Sequence, residues 1–218
     1  MKETYFTPEN IANQASEFIE YCEKFTRPMK LSFSPYTSAL LVLDMQAYFL
    51  NPDSHAYIPS AQAIVPHLKS LIHAYRSRGL PVIYTRHTNR PQDAGMMSIW
   101  WQDLITTDSP LSQIVPELEP GDSTVILKSQ YDAFYGTELD AMLRANGVMQ
   151  VLVSGVMTHL CCETTARSAF MHGFEVFFLV DGTATYNQQF HQASLLNLSH
   201  GFASLLLVDE ALTMIEAR

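Results

Sequence analysis

The sequence predicts a three-layer, doubly wound α/β domain built on six mostly parallel strands. The chain has 218 residues, of which 47% are hydrophobic and 16% charged, so it is long enough and apolar enough for one packed domain. Its apolar runs are continuous rather than alternating, as in strands buried on both faces of a parallel sheet. Helical patterns separate these runs, and strand alternating with helix at this spacing indicates right-handed crossovers.

The predicted strands are short β-rich runs bounded by turn-forming or polar residues. We expect them at residues 39–44, 81–85, 124–128, 150–154, 175–180 and 204–208. The predicted helices lie between them, at residues 61–77, 136–146, 161–172 and 188–200. The first helix has a clear end, because Arg76 and Arg78 are followed by Gly79, a residue type that commonly terminates helices.

The predicted organisation is a single domain over residues 1–218, without an internal repeat or a linker. Residues 1–37 form an N-terminal helical extension, in which residues 8–25 are an amphipathic helix that acts as an appendage or dimer arm. The one long irregular stretch, residues 87–120, contains both tryptophans, and we expect it to form the rim of an active site.

Charge and composition exclude several classes of function. The chain has 22 acidic and 13 basic residues and a formal charge of −9, which repels phosphate backbones and anionic lipid. We therefore expect neither a nucleic-acid nor a membrane partner. No apolar run approaches the ~20 residues needed to cross a bilayer. The first ten residues lack the apolar segment of a secretory signal, so the prediction is a cytoplasmic protein.

The three cysteines argue against a disulfide framework. Cys161 and Cys162 are adjacent, and a bridge between them would close a strained eight-membered ring. The chain also has no Cys-x-x-Cys pair from which a structural zinc site could be built. Each cysteine is therefore either core filler or a reactive group.

Three reactive side chains stand at the carboxyl ends of predicted strands, where open parallel sheets bind their ligands. Asp44 ends the first strand, Lys128 ends the third, and Cys161 follows the fourth at the start of a helix. A thiol with a pKa of about 8.5 is only ~3% ionised at neutral pH, and both a helix N-terminus and a nearby lysine favour the thiolate. Asp44 would then exchange a proton with the thiol or with a leaving amine.

Each of these residues also has an ordinary structural explanation. A strand-end aspartate often caps the following turn, lysines mostly lie at the surface, and cysteine is among the residue types most often buried. The combination of carboxylate, ammonium and thiol at three strand ends is what favours a cysteine hydrolase.

Three segments resemble the isochorismatase-like cysteine hydrolase superfamily in order and spacing. They are LLVLDMQAYF from residue 40, LKSQYDAFYGTELDAML from residue 127 and SGVMTHLCCETTARSAFMHGFEVFFLVDGTATY from residue 154. That superfamily includes nicotinamidases, N-carbamoylsarcosine amidases, ureidoacrylate hydrolases and isochorismatases. The resemblance implies the strand order 3-2-1-4-5-6, an Asp-Lys-Cys triad at Asp44, Lys128 and Cys161, and a homo-oligomer, either dimer or tetramer.

The resemblance further implies a non-proline cis peptide bond between Val156 and Met157. Its role in the family would be to aim the backbone N–H of Met157, together with that of Cys161, at an oxyanion. For the substrate-binding walls, we expect aromatic and hydrogen-bonding residues near the triad. The candidates are Gln46, Phe49, Trp100, Tyr131 and His159.

Two departures from the family patterns narrow the prediction. Nicotinamidases carry an Asp-x-His metal motif after the second strand, where this chain has Thr85, Arg86, His87, Thr88 and Asn89. We therefore expect no catalytic metal and no cofactor; Asp53 and His55 spell the same motif, but after the first strand. True isochorismatases generally have glycine where this chain has Cys161, and cleavage of a vinyl ether needs no nucleophile.

The sequence thus predicts a metal-free cysteine hydrolase that cleaves a small amide or related C–N bond through a thioester acyl-enzyme. The alternative is an isochorismatase-type vinyl-ether hydrolase of a siderophore or phenazine pathway. A third possibility is a binding or scaffold subunit without turnover, against which the intact trio of reactive residues argues. The expected partner is a small-molecule substrate.

Overall fold

The computed structural model of the protein describes residues 1–26, 31–101 and 103–217. Its sheet has six strands, all paired in parallel in the order β3-β2-β1-β4-β5-β6, which confirms the predicted fold and strand order. The strands are β1 Ser38–Leu43, β2 Val82–His87, β3 Thr124–Lys128, β4 Gln150–Val156, β5 Glu175–Ala184 and β6 Ser204–Leu206.

The centre of the sheet is the pair β1 and β4, from which the strand order runs outwards in both directions. All of β1 and β4 is buried, as their continuous apolar sequences require. The two strands are in register from Ser38 opposite Gln150 to Leu43 opposite Gly155. Gly155 has a φ of +105°, and a Cβ atom at this position would overlap the Leu43 carbonyl. Only glycine allows β1 and β4 to meet this closely.

The described part of the chain contains eight α-helices. Crossovers run from β1 to β2 in one direction and from β4 to β5 in the other, which places their helices on opposite faces. The bounds are α1 Ile11–Glu23, α2 Ala47–Leu50, α3 Ala61–Ser77, α4 Met97–Trp100, α5 Leu139–Ala145, α6 Glu163–Met171, α7 Gln188–Gly201 and α8 Val208–Glu216. None of the helices in the described ranges is long and apolar enough to cross a membrane.

The prediction missed the last helix, α8, and ran the final strand to Val208. The start of α8 is nevertheless marked in the sequence, since Asp209 and Glu210 lie in its first turn. The Glu210 carboxylate accepts a 2.9 Å hydrogen bond from the backbone N–H of Leu207. This is one half of a capping box, which the apolar run before it concealed.

The N-terminal segment packs into the body of the molecule, so its description as an appendage is wrong. Tyr5, Phe6 and Phe18 are buried, and they belong to the same core as β1 and β5. The hydroxyl of Ser60, just before α3, accepts hydrogen bonds from the backbone N–H groups of Tyr5 and Phe6, at 3.0 and 3.1 Å. Residues 27–30 of the predicted extension lie outside the described residues.

Candidate active site

Asp44, Lys128 and Cys161 come together at the carboxyl edge of the sheet. Asp44 directly follows β1, Lys128 is the last residue of β3, and Cys161 lies in a π-helical turn, Thr158–Cys162, after β4. Asp44 Oδ2 lies 2.7 Å from Lys128 Nζ, and that Nζ lies 3.5 Å from Cys161 Sγ. The topological switch of the sheet therefore brings the three residues into contact.

The backbone and side chain of Asp44 are held in one orientation. Its φ is +49°, a left-handed conformation that is uncommon for any residue but glycine. The Thr85 hydroxyl donates a 2.6 Å hydrogen bond to Asp44 Oδ1 and accepts one of 3.0 Å from the Asp44 N–H. Thr85 therefore holds Oδ1 and leaves Oδ2 for Lys128 and the thiol.

The Lys128 ammonium is fully buried and well supplied with acceptors. In addition to its ion pair with Asp44, it donates hydrogen bonds to the carbonyl oxygens of Gln130 and Tyr131, at 2.9 and 3.2 Å. Burial by itself lowers the pKa of Lys128, but the charge of Asp44 and its hydrogen bond outweigh this and raise that pKa. The lysine is therefore held as a cation among two carbonyl oxygens, the Asp44 carboxylate and the Cys161 sulfur.

The Cys161 thiol is protonated in the free site, and here the expected lowering of its pKa is wrong. Burial raises the pKa of Cys161 above its usual range, the charge of Asp44 adds to the rise, and the Lys128 ammonium opposes it. The hydrogen bond that Sγ makes within the triad is with Lys128 Nζ, at 3.5 Å, and Lys128 in turn lies 2.7 Å from Asp44 Oδ2. The site thus holds an ion pair beside a neutral thiol rather than a preformed thiolate.

The adjacent Cys162 faces away from this cluster. It is fully buried in the core, and its Sγ lies 3.8 Å from the Ser154 carbonyl oxygen. Desolvation raises the pKa of Cys162 well above its ordinary value. The π-helical turn therefore separates two neighbouring thiols, one beside Lys128 and one in the apolar interior.

A narrow cleft opens above Cys161. Phe49 and Tyr131, both predicted as substrate-binding residues, line it together with Met157. The preceding peptide bond, Val156–Met157, is cis. His87, which the sequence offered together with Arg86 as a site for a substrate carboxylate, also lines the cleft. Sequence reasoning did not propose the remaining lining residues, which are Tyr48, Asn89, Trp101, Asp103, Ile105 and Leu160.

Gln46 does not line the cleft, which corrects the prediction that it binds substrate. Its side chain is buried and fully engaged with backbone groups on two segments. The Gln46 amide nitrogen donates to the carbonyl oxygens of His87 and Ser112, at 3.0 and 2.8 Å, and its oxygen accepts from the His87 N–H at 2.8 Å. Gln46 therefore fixes the cleft wall from behind.

Trp100 was the wrong member of the tryptophan pair. It is 76% exposed and points away from the cleft, which Trp101 lines instead. His159 was also wrongly placed, because it is not among the lining residues. Its Nδ1 lies 2.5 Å from the Thr185 hydroxyl oxygen and its ring stacks on Phe190, with centroids 4.5 Å apart.

A family model described as the isochorismatase domain matches residues 38–210 of this chain. The chain belongs to the isochorismatase family. It is 42% identical over 178 residues to a protein named Nicotinamidase 3 from Arabidopsis thaliana, a match that covers 79% of this chain and 86% of that protein.

Two further comparisons have lower sequence identity. Enterobactin synthase component B of Escherichia coli (strain K12) is 28% identical, over 83% of this chain and 64% of that protein, so this chain spans less than two thirds of that relative. The crystal structure of a cysteine hydrolase from Pseudomonas syringae pv. phaseolicola 1448A has a TM-score of 0.84 at 28% identity and covers 88% of this chain and 99% of that chain. This isochorismatase-family protein is a hydrolase.

The neutral imidazole of His87 is a polar group of the cleft with a defined tautomer. Asn89 donates its amide N–H to the Ser129 carbonyl at 2.9 Å, which turns Oδ1 towards His87 Nε2 at 2.8 Å. Nε2 therefore carries the proton, and the buried Nδ1 is an acceptor with no hydrogen-bond partner among the described residues. Burial and the nearby Lys128 ammonium lower the pKa of His87 to about 4.

The donor set of this hydrolase does not fit the Asp-x-His metal site of nicotinamidases. In the described ranges, no group of three His, Cys, Asp or Glu side chains is arranged to hold a metal ion. Asp53 is exposed, and His55 instead pairs with Asp103, with 3.3 Å between Nε2 and Oδ2.

Proposed function

We propose that this protein is a metal-free cysteine amidase that hydrolyses a small, neutral, planar amide through a thioester acyl-enzyme. The observation that carries the proposal is the position of Cys161 Sγ, at the floor of an aromatic cleft and 3.5 Å from the ammonium of the buried Lys128–Asp44 ion pair. Thiol, proton acceptor and cation are the three groups that covalent amide hydrolysis needs.

Acylation begins when Cys161 Sγ attacks the amide carbonyl carbon. The thiol proton moves to Asp44 Oδ2, and the carbonyl oxygen becomes an oxyanion that the backbone N–H groups of Met157 and Cys161 stabilise. Asp44 then returns the proton to the leaving nitrogen. The C–N bond breaks and ammonia or an amine departs, leaving a thioester on Cys161.

Deacylation uses the same groups in the reverse sense. A water molecule enters the space left by the amine, and Asp44 takes its proton while the hydroxyl adds to the thioester carbonyl carbon. Collapse of this second tetrahedral intermediate expels the Cys161 sulfur, which recovers its proton from Asp44. Throughout the cycle, Lys128 keeps its charge and stabilises whichever of Asp44 and Cys161 is anionic.

The lining of the cleft supports a neutral and flat substrate. None of the described lining residues is a lysine or an arginine, and the acidic Asp103 lies at the rim. A dicarboxylate such as isochorismate would therefore have no cationic partner in the cleft, which disfavours the vinyl-ether alternative. Aromatic side chains form the walls, and His87 Nδ1 offers an acceptor to a substrate N–H.

Nicotinamide is the first substrate to test, because a relative with 42% identity is named a nicotinamidase. We expect the purified protein to release ammonia from nicotinamide or another small aromatic amide, at a rate that EDTA leaves unchanged. Ureido acids and isochorismate complete the panel. Turnover of isochorismate alone, or loss of activity on chelation with recovery on addition of zinc, would contradict the proposal.

The adjacent cysteines supply a matched pair of variants. Cys161→Ala removes the proposed nucleophile, and we expect kcat to fall on the order of 10³-fold or more while the far-UV spectrum stays unchanged. Cys162→Ala removes a core thiol, so it should lower the melting temperature and have only a modest effect on kcat. The reverse result would assign the nucleophile to Cys162.

A further inference from the structure

A buried cluster of three hydrogen-bonding side chains joins the start of the chain to the turn that carries Cys161. Tyr5 Oη lies 2.9 Å from His191 Nδ1, and the Thr158 hydroxyl oxygen lies 3.1 Å from the same nitrogen. All three residues are buried. Tyr5 comes from the segment before α1, His191 from α7 and Thr158 from the π-helical turn.

The hydrogen bonds of this cluster connect it to the backbone as well. Tyr5 Oη accepts the backbone N–H of Thr185 at 2.9 Å and makes its second hydrogen bond with His191 Nδ1. His191 Nε2 is buried and has no hydrogen-bond partner among the described residues. Burial lowers the pKa of His191 to about 3, so the ring stays neutral across the physiological range. The cluster is consequently a fixed, uncharged brace.

A second branch from Tyr5 reaches the same turn. Thr185, whose N–H bonds to Tyr5, places its hydroxyl oxygen 2.5 Å from His159 Nδ1. Two consecutive residues of the turn, Thr158 and His159, are thus linked to one phenol hydroxyl. They lie between Met157 and Cys161, whose backbone N–H groups are the proposed oxyanion donors.

Tyr5 is itself held firmly in place. Its backbone N–H donates to Ser60 Oγ at 3.0 Å, and its carbonyl accepts from the Asn10 side chain at 3.0 Å. Its ring packs against Phe6 and His191, with centroid separations of 4.6 and 5.3 Å. The hydroxyl therefore has a defined position from which it can hold the turn.

We propose that Tyr5 is a positioning residue, which sets the spacing of the Met157 and Cys161 N–H groups through its hydrogen bonds with His191 and Thr185. The inference rests on the proposed function, because it uses the oxyanion site of that mechanism. It gives the N-terminal segment a part in turnover, beyond packing.

Tyr5→Phe is the variant that tests this role, because it keeps the ring and removes only the hydroxyl. Displaced oxyanion donors would impair the transition state more than substrate binding. We therefore expect kcat on the aromatic amide to fall roughly tenfold, less than the 10²–10³ typical when a donor is deleted outright, with KM within about twofold of the wild type.

Two probes of Cys161 separate the thiol from the oxyanion site. Iodoacetamide alkylation, followed at Cys161 by peptide mass spectrometry, needs the thiol and forms no oxyanion. An aromatic aldehyde such as pyridine-3-carboxaldehyde adds the thiol to its carbonyl, and the new oxygen occupies the oxyanion site. We expect Tyr5→Phe to weaken aldehyde binding about tenfold and to leave the alkylation rate within about twofold of the wild type.

The matched control is Tyr75→Phe. Tyr75 is also fully buried, and its hydroxyl lies 2.7 Å from that of Ser38 at the opposite end of β1. It should lower the melting temperature and leave kcat, aldehyde binding and alkylation unchanged. Equal effects of the two substitutions, or a parallel loss of alkylation and aldehyde binding in Tyr5→Phe, would overturn the inference.

The aldehyde also distinguishes this inference from the proposed function. If the wild type binds the aldehyde but hydrolyses no amide of the panel, the proposed function fails and the aldehyde still tests Tyr5. If the wild-type Cys161 binds no aldehyde, the oxyanion site is absent and the inference about Tyr5 is overturned.

Discussion

The indole N–H of Trp101 donates a 2.8 Å hydrogen bond to the phenol oxygen of Tyr131. The bond connects the irregular segment before β3 to the loop after it, and both rings line the cleft above Cys161. The backbone carbonyl of Tyr131 also accepts from Lys128 Nζ. A wall of the cleft is therefore tied to the ion pair beneath it.

Replacement of Trp101 should weaken substrate binding, whereas replacement of Trp100 should not. Trp101→Phe keeps an apolar ring but leaves the Tyr131 hydroxyl without its donor, so we expect KM to rise about tenfold, the equivalent of ~1.4 kcal/mol. Trp100→Phe, at an exposed position, is the control and should leave KM unchanged. Steady-state kinetics of both variants measure the two KM values. A larger rise in KM for Trp100→Phe would show that Trp100, and not Trp101, contacts the substrate.

Lys128→Met should make Cys161 less acidic and the site inactive. The ammonium opposes the rise in the thiol pKa, so its removal raises that pKa further, and each unit corresponds to about 1.4 kcal/mol. The rate of alkylation by iodoacetamide, measured against pH, should therefore shift to more alkaline values. Lys69→Met, which removes an exposed lysine paired with Glu119 at 3.8 Å, is the control. An unchanged alkylation profile in Lys128→Met would show that the lysine has no electrostatic effect on the pKa of the Cys161 thiol.

Asp44→Asn should have a different effect on the same thiol. It removes both the proton acceptor and a negative charge that raises the pKa of Cys161. We expect alkylation to be retained or accelerated while amide hydrolysis falls on the order of 10³-fold. Parallel measurement of the two rates checks this, and hydrolysis at the wild-type rate would remove Asp44 from the mechanism.

Gln46→Leu should destabilise the protein, because it leaves the N–H and the carbonyl of His87 without their partners and removes one of the two donors to the Ser112 carbonyl, which keeps Arg86 Nε. Each unsatisfied buried group costs ~1–3 kcal/mol, so a loss of several kcal/mol in the free energy of unfolding is expected from urea denaturation. Gln62→Leu provides a control, since that side chain donates a single hydrogen bond to the Leu50 carbonyl. A Gln46→Leu protein of normal stability but altered KM would restore Gln46 as a substrate-binding residue.

Stability should decrease below about pH 6.5 because of His191. Burial lowers the pKa of His191 in the folded protein to about 3, whereas the unfolded chain titrates near 6.5. Between these values the unfolded state binds the extra proton, so the free energy of unfolding falls by up to ~1.4 kcal/mol per pH unit as pH decreases. His191→Phe should reduce the slope between pH 6.5 and 5, and exposed His73→Gln should not. A slope that is the same in His191→Phe would contradict the burial argument.

The sequence was sufficient for the sheet because β1 and β4 are continuous apolar runs that only a doubly covered parallel sheet can bury. The three reactive residues could be proposed for the same reason, since strand ends of a known order meet at a known edge. Their contact distances could not, because they depend on the turns that follow each strand.

The errors concern residues whose direction is set by irregular structure. Trp100 and Trp101 are indistinguishable by type, and the end of the short helix α4 decides which indole faces the cleft. Gln46 is only two residues from Asp44 in sequence, but the left-handed backbone conformation at Asp44 changes the chain direction, and the Gln46 side chain does not reach the cleft. The direction of the Cys161 pKa shift was predicted from the neighbouring lysine and helix N-terminus, because the sequence does not show how completely the thiol is buried away from water.

The close contact of Gly155 with the Leu43 carbonyl divides the site into a part that can change during evolution and a part that cannot. Residues of the cleft walls can be exchanged one at a time, altering the molecule that is recognised. Any side chain at Gly155 would instead force β1 and β4 apart, and these strands lead to Asp44 and to Cys161. We therefore expect substrate specificity to change through substitutions in the cleft walls, whereas Gly155 must stay glycine for Asp44 and Cys161 to keep their positions.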